Sequence, residues 1–197
     1  MQPLPHESQR RIPWLTATTV SIPTGTWSVD KAHSSIEFRV KHLGISTVRG
    51  AFNEFEGSLE IGDDLLAAKA YGKIGAGSID TNEPGRDEHL RSPDFFDVDN
   101  FPDITFESTA ITPLDDDTFE VTGDLTMHGI TNPITLTVER SGTEQDAWGN
   151  ERVGLEAIGK INRSDWDMRF NQALGSGDMM VSDKVTMALD ISAVKQA

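Results

Sequence analysis

The chain has 197 residues, and 17 Lys and Arg against 32 Asp and Glu give it a formal net charge of −15 at pH 7. A surface this acidic repels phosphate backbones, which argues against sequence-independent nucleic-acid binding. Cysteine is absent, so disulfides and thiolate sites are excluded, and the longest apolar run, Leu65–Ala68, is too short for membrane insertion.

Residues 1–24 are predicted to form an extended N-terminal arm, because they contain four prolines, which disfavour both helix and strand. A secretory signal needs a continuous apolar stretch, which Pro13 and the polar run Thr16–Thr19 interrupt in this segment. We therefore expect a cytoplasmic protein. Residues 25–197 are long enough to bury a core of their own and are predicted to form one domain.

Apolar and polar residues alternate along most of this domain. Ile36, Phe38 and Val40, for example, alternate with Glu37 and Arg39, which is typical of a strand buried on one face. Turn residues separate such runs. The pattern predicts eight long strands, near residues 34–41, 50–61, 69–79, 103–111, 118–127, 133–140, 152–161 and 183–194. Eight antiparallel strands can close into a barrel that is filled by side chains or holds one small ligand.

The segment from Thr81 to Asp103 breaks the strand pattern. Ser92, Pro93 and Asp94 have the chemistry of a helix start, with a serine N-cap, a proline at the first helical position and an acid in the first turn. The residues just before them also favour a helical turn. We therefore predict a short, two-part helical insertion that ends near residue 97 and plugs one mouth of the barrel.

Several glycines fall inside the strand patterns, where glycine normally weakens a strand. They are either bends that help to close the barrel or, where they point inward, positions that leave room for a ligand. Both interpretations stay open for Gly57, Gly75, Gly77, Gly123 and Gly159.

An enzyme is the main alternative to a binding protein. His33, His89 and His128 could meet at one barrel end with Asp30 or Asp87. However, no histidine pair has a helical metal spacing, and a zinc site needs three or four convergent ligands. No nucleophile elbow or phosphate loop is present. We therefore predict no catalytic residue, no metal and no cofactor. A third possibility is a structural barrel that is filled by its own side chains.

An ordered set of motifs resembles the YceI-like family of bacterial lipocalin-like, polyisoprenoid-binding proteins. The most specific motif is RDEHLRSPDFFD at residues 86–97. The others are VDKAHS (29–34), VKH (40–42), VRGAF (48–52), SIDT (78–81), FPDITFEST (101–109), GDLTMHGIT (123–131) and NRSDW (162–166). One departure is Asp167, which stands where the family commonly has glycine.

The resemblance implies an all-β, eight-stranded antiparallel lipocalin-like barrel with a short helical plug. It also implies a long interior cavity that carries or stores a polyisoprenoid, a quinone-like isoprenoid or a fatty amide, without catalysis. Family members are often homodimers, and many are periplasmic. A strand of about 10 residues, tilted in a barrel, spans roughly 25 Å, which is long enough for an extended hydrocarbon tail.

Apolar residues on or beside the strands and the plug are the candidates for contact with the tail. They are Phe38, Val40, Phe52, Phe95, Phe96, Phe101, Phe106, Leu125, Met127, Leu136, Leu155, Trp166, Met168 and Phe170. A polar head group would need basic partners on so acidic a chain. The candidates are Arg49, Arg86, Arg91, Arg163, Arg169 and His33, each of which could instead pair with a neighbouring carboxylate.

Overall fold

The computed structural model describes residues 22–175 and 179–197. Most of the predicted N-terminal arm, residues 1–21, lies outside the described residues. The described chain contains one α-helix, α1 (Pro84–Arg91), and short 3-10 helices at Lys31–His33, Leu65–Ala67, Ala76–Ser78 and Arg163–Trp166. The strands are β1 (Gly25–Val29), β2 (Ser35–His42), β3 (Ser46–Phe52), β4 (Phe55–Ile61), β5 (Lys69–Gly75), β6 (Ile79–Asp80), β7 (Asp103–Pro113), β8 (Thr118–Met127), β9 (Ile130–Gln145), β10 (Glu151–Asn162) and β11 (Val181–Lys195).

These strands form a closed antiparallel barrel with eight strand positions. β11 closes it, because one part of this long strand pairs with β2 and its end pairs with β1, where Trp27 lies opposite Lys195. β1 and β2 are two segments of one broken strand, and β3 with β4 and β5 with β6 form two more. The prediction of an eight-stranded barrel is confirmed. The predicted strand at 50–61 is interrupted at Asn53 and Glu54, whose amides both bond to Ser78.

Alternation along each strand sorts side chains between the interior and the outer face. On β2, Ile36 and Phe38 pack against the core, whereas Arg39 is exposed. One buried cluster surrounds Trp166 at the plugged end, and a second surrounds Trp27 nearer the opposite end. Both clusters contribute side chains that face the interior of the barrel, among them Leu125 and Leu155.

The helix of the plug begins earlier than the sequence predicts. The prediction of a helix start at Ser92 is wrong, because Ser92 is the C-cap of α1 and its amide and hydroxyl both donate to the carbonyl of His89. Glu83 is the N-cap, and its carboxylate accepts from two amides of the first turn, beside Pro84 at the first helical position. Pro93 then follows a helix end, where proline is common. Residues 93–96 form turns.

Within residues 22–175 and 179–197, no helix has the length and apolar character needed to cross a bilayer.

Candidate functional site

The interior of the barrel is hollow. It contains two adjoining chambers of about 200 Å³ and 170 Å³, and almost all of the lining is apolar. A single water needs roughly 10–15 Å³, and an apolar cavity of about 150 Å³ holds a benzene molecule. Each chamber is therefore large enough for an organic group, and its lining offers water few hydrogen bonds.

The smaller chamber, here the plug-side chamber, lies beneath α1 and the turns that follow it. Leu90, Phe95 and Phe96 close it from the plug. The ring of Phe96 meets that of Phe52 edge to face, with centroids 5.7 Å apart, which joins the plug to the barrel wall. The predicted position of the plug over one mouth agrees with this packing.

The larger chamber, here the distal chamber, extends towards the opposite end of the barrel. Its lining includes Leu65 and Tyr71 near that end and Ile22 at the start of the described chain. Seven side chains line both chambers and form a waist between them. They are Ile36, Ile74, Ile104, Phe106, Leu125, Leu136 and Leu189. The two chambers thus lie end to end along the barrel, as an extended chain would require.

Gly72 widens the distal chamber, whereas a Cβ atom built on its partner Gly57 would stand 2.9 Å from the carbonyl oxygen of Tyr71. Gly57 and Gly72 lie opposite each other on β4 and β5, and both belong to the lining. A Cβ atom built on Gly72 would meet no atom within 4 Å, so the missing side chain leaves open space. At Gly123, by contrast, a Cβ would stand 2.4 Å from Cζ of Phe106, so that position is already filled by a neighbour.

The plug-side chamber contains one buried charged side chain, that of Arg163. Arg163 is 6% exposed, and its Nε and Nη1 donate to the carbonyls of Ser182 and Met168 at 3.2 and 2.6 Å. Burial lowers the pKa of its guanidinium, and the charge of Asp183 acts in the opposite direction. Arginine stays protonated despite such shifts. No ion pair joins Arg163 to a carboxylate of the described residues.

Arg163 is the predicted head-group residue that the structure brings to the cavity. Arg86 and Arg91 instead hold the plug to the wall. Arg86 donates to the hydroxyl and carbonyl of Thr81, and Arg91 donates to the carbonyls of Gly77 and Ile79. Neither side chain lines a chamber.

The other three predicted head-group residues lie on the surface, outside the cavity lining. Arg169 pairs with Asp167 at 2.8 Å, and His33 pairs with Asp30 at 2.8 Å. Arg49 is exposed on the outer face of β3. Asp167 has a φ of 60°, a left-handed conformation that glycine adopts freely and that is strained for most other residues.

Eleven of the fourteen predicted tail residues line the chambers. They are Phe38, Val40, Phe52, Phe95, Phe96, Phe106, Leu125, Met127, Leu136, Leu155 and Met168. Phe101, Trp166 and Phe170 lie outside the lining. Trp166 packs in the core and donates to the carbonyl of Leu125, Phe101 lies against His128, and Phe170 lies against His89.

The histidines do not form a common site. His89 bonds to Asp94 at 2.8 Å, and His128 Nδ1 lies 3.0 Å from the carbonyl oxygen of Trp166. With His33 held by Asp30, each of the three histidines considered for the alternative enzyme has its own separate partner. Across the two described ranges, no group of three or more His, Asp or Glu side chains could hold a metal ion.

A closed antiparallel barrel with a plug and a hollow apolar interior is lipocalin-like in architecture. The model of the YceI-like domain matches residues 27–193, and the chain belongs to this family. The resemblance carried by the sequence motifs is thereby confirmed.

Individual relatives agree with this assignment. A UPF0312 protein of Vibrio parahaemolyticus is 36% identical over 91% of this chain and 95% of its own length. The crystal structure of the Campylobacter jejuni YCEI protein is 30% identical, covers 85% of this chain and 96% of its own, and superposes with a TM-score of 0.67. A polyisoprenoid binding domain from Saccharophagus degradans shares the fold, with a TM-score of 0.65 at 17% identity over 86% of this chain and 98% of that one.

Proposed function

We propose that this protein binds an amphiphilic lipid inside the barrel and carries or stores it. The hydrocarbon tail occupies the distal chamber and the waist, and the head group lies in the plug-side chamber near Arg163. The observation that carries this proposal is the pair of apolar chambers arranged end to end.

The energetics favour the tail as the main source of affinity. Burial of about ten methylene groups at ~0.8 kcal/mol each contributes roughly 8 kcal/mol. Association costs on the order of 4–15 kcal/mol, so the net affinity depends strongly on tail length. An apolar wall discriminates only weakly between tails of different length and bulk. Selectivity for one lipid must therefore come from a few polar groups.

Arg163 narrows the choice of head group. A buried guanidinium without a carboxylate partner is stabilised by a ligand oxygen that accepts its remaining hydrogen bonds. A carbonyl, an amide oxygen or a phosphate supplies such an oxygen. The polyisoprenoid, quinone-like isoprenoid and fatty amide classes all meet this requirement in one form or another, and the name of the Saccharophagus degradans domain supports the first.

Delipidated protein incubated with a polyprenyl phosphate and examined by native mass spectrometry tests the proposal. The wild type is expected to retain one lipid. Gly72→Leu is expected to lose it without unfolding, because the new side chain enters space that no atom occupies. Gly62→Leu is the matched control, since Gly62 is exposed, has the same open surroundings and lies outside both chambers. A wild type that retains no lipid would overturn the proposal.

A further inference from the structure

The hairpin between β2 and β3 presents apolar side chains to solvent at its tip. Ile45 is 84% exposed, and Leu43 is 38% exposed. Met179, which is 56% exposed, lies beside this tip, since the Leu43 amide donates to the carbonyl of the next residue, Met180, at 2.8 Å. Leu43, Gly44, Ile45 and Met179, here called the apolar rim, therefore form one exposed apolar patch at one end of the barrel.

The turn itself does not explain an apolar residue at this place. The amide of Ile45 bonds to the carbonyl of His42, and the two residues between them have φ angles of 53° and 70°. Such a turn favours asparagine, aspartate or glycine at both central positions. Leucine in the left-handed region is strained, because its Cβ atom crowds the following carbonyl oxygen. The chain thus places Leu43 in solvent at the expense of turn stability, which points to a role outside the fold.

The outer face behind the tip is basic. Arg39 lies directly opposite Arg49 on the neighbouring strand, and both are exposed. Three exposed lysines on β2, β10 and β11 extend this face. They are Lys41, Lys160 and Lys184. None of these five cations forms an ion pair with a carboxylate in the part of the chain that the structure describes.

Several carboxylates border this face: Asp80 lies opposite Ala51 on β3, and Asp165 accepts a hydrogen bond from Asn162, which lies opposite Lys184. Asp183 accepts hydrogen bonds from the amide and hydroxyl of Ser164, and Glu37 lies two residues before Arg39 on β2. On a chain with a formal charge of −15, a basic face turns the molecule towards an anionic surface and holds the acidic remainder away from it.

The apolar rim adjoins the plug-side chamber. His42, at the base of the hairpin, pairs with Val181, and both Val181 and Val40 line the chamber. A surface that touched the rim would therefore be only a few residues from the cavity. Such a position is expected for a contact through which a lipid passes between an apolar partner surface and the plug-side chamber.

We propose that the rim and the basic face together dock on an anionic lipid bilayer, with Leu43 and Ile45 inserted at the level of the head groups. An apolar tip beside clustered Lys and Arg is the combination that interfacial binding requires. The further step, that lipid exchange takes place at this contact, rests on the proposed function.

Co-sedimentation with vesicles of phosphatidylcholine, with and without phosphatidylglycerol, tests the docking. The wild type is expected to bind the anionic vesicles more tightly and to be released by added salt. Leu43→Asn with Ile45→Ser is expected to weaken binding by about ten-fold or more, because two apolar side chains no longer insert. Asparagine suits the turn better than leucine, so this variant keeps its fold. Arg39→Gln with Lys184→Gln is expected to remove the preference for anionic vesicles.

Trp148→Ser is the matched control, since Trp148 is also 84% exposed but lies on the β9–β10 hairpin. The inference is overturned if the wild type does not prefer anionic vesicles or if the control loses as much binding as the tip variant. It is also overturned if the tip variant changes only the oligomeric state, because the rim would then contact a second copy of the chain. Retention of polyprenyl phosphate, measured without vesicles, tests the cavity separately and is expected to be the same in all of these variants.

Discussion

The ring of Phe106 lies directly over Gly123 at the waist of the barrel, where a Cβ atom on the glycine would stand 2.4 Å from Cζ of the ring and 2.5 Å from the carbonyl oxygen of Glu107. The backbone oxygen cannot move aside as a flexible side chain can. Because Gly123 on β8 has no Cβ atom, the ring of Phe106 on β7 can occupy this place between the two chambers.

Gly123→Ala is expected to lower the free energy of unfolding by about 1–3 kcal/mol, as overpacking in a closed wall does. Urea denaturation measures this change. Gly72→Ala is the control, because its Cβ meets no atom within 4 Å and the substitution reduces the entropy of the unfolded chain. Equal stability losses in the two variants would contradict the assigned position of Phe106.

Arg163→Gln is expected to change which head group the protein prefers. The variant keeps a hydrogen-bond donor near the chamber but loses the charge, so the affinity for a polyprenyl phosphate falls about ten-fold or more relative to the polyprenol of the same length. Displacement of a fluorescent lipid by each competitor measures this ratio. Arg169→Gln is the control, because Arg169 is exposed and outside the lining. An unchanged ratio would place the head group elsewhere.

The ion pair between Arg152 and Asp30 is expected to make stability depend on acid pH. Hydrogen bonds from Arg152 and, secondly, His33 lower the pKa of Asp30 from 3.8 to about 2. A carboxyl whose pKa is lower in the folded state stabilises the fold above its unfolded pKa, and this contribution is lost as pH falls from about 4 to 2. The unfolding free energies of the wild type and Asp30→Asn, measured at pH 7 and pH 2, are expected to come closer together at the lower pH. A constant difference would exclude this linkage.

Asp87→Ala is expected to loosen the plug. Asp87 is 7% exposed, and its Oδ1 accepts from the amide and the hydroxyl of Thr81, which ties α1 to β6. Loss of this acceptor leaves two buried donors unpaired and costs about 1–3 kcal/mol. Hydrogen exchange of the α1 amides and the dissociation rate of bound lipid are both expected to rise. Asp94→Asn, at an exposed plug residue, is the control and should leave the exchange rates of the first helical turn unchanged.

The sequence predicts the barrel well because alternation is a direct consequence of strand geometry. The alternation predicts Phe38 and Leu136 in the interior, and both line the chambers. Trp166 is predicted to contact the tail because it stands beside a strand-like run, but it lies in a 3-10 helix, where a period of two has no meaning. The predicted helix start at Ser92 is wrong for a related reason, because a serine followed by proline occurs at helix ends as well as at helix starts.

Burial of a charge is harder to read from a sequence. Arg163 and Arg169 belong to one short segment, yet Arg163 faces the chamber and Arg169 is 76% exposed in its side chain. The turn that separates them depends on contacts with β11, which lie nearly twenty residues further along the chain. A cytoplasmic location and a homodimer stay predictions.

The broken strands have a mechanical consequence. The interruptions, at Lys31–His33, at Asn53 and Glu54, and at Ala76–Ser78, fall in adjacent strand positions on one side of the barrel. Opposite them, β7 to β11 are each one continuous strand, although their pairings contain register shifts. Gly57 and Gly72 lie on the interrupted side. Because an interrupted strand has fewer consecutive hydrogen bonds to its neighbours, we expect this side to bend outward around a bulkier guest more readily than the continuous side.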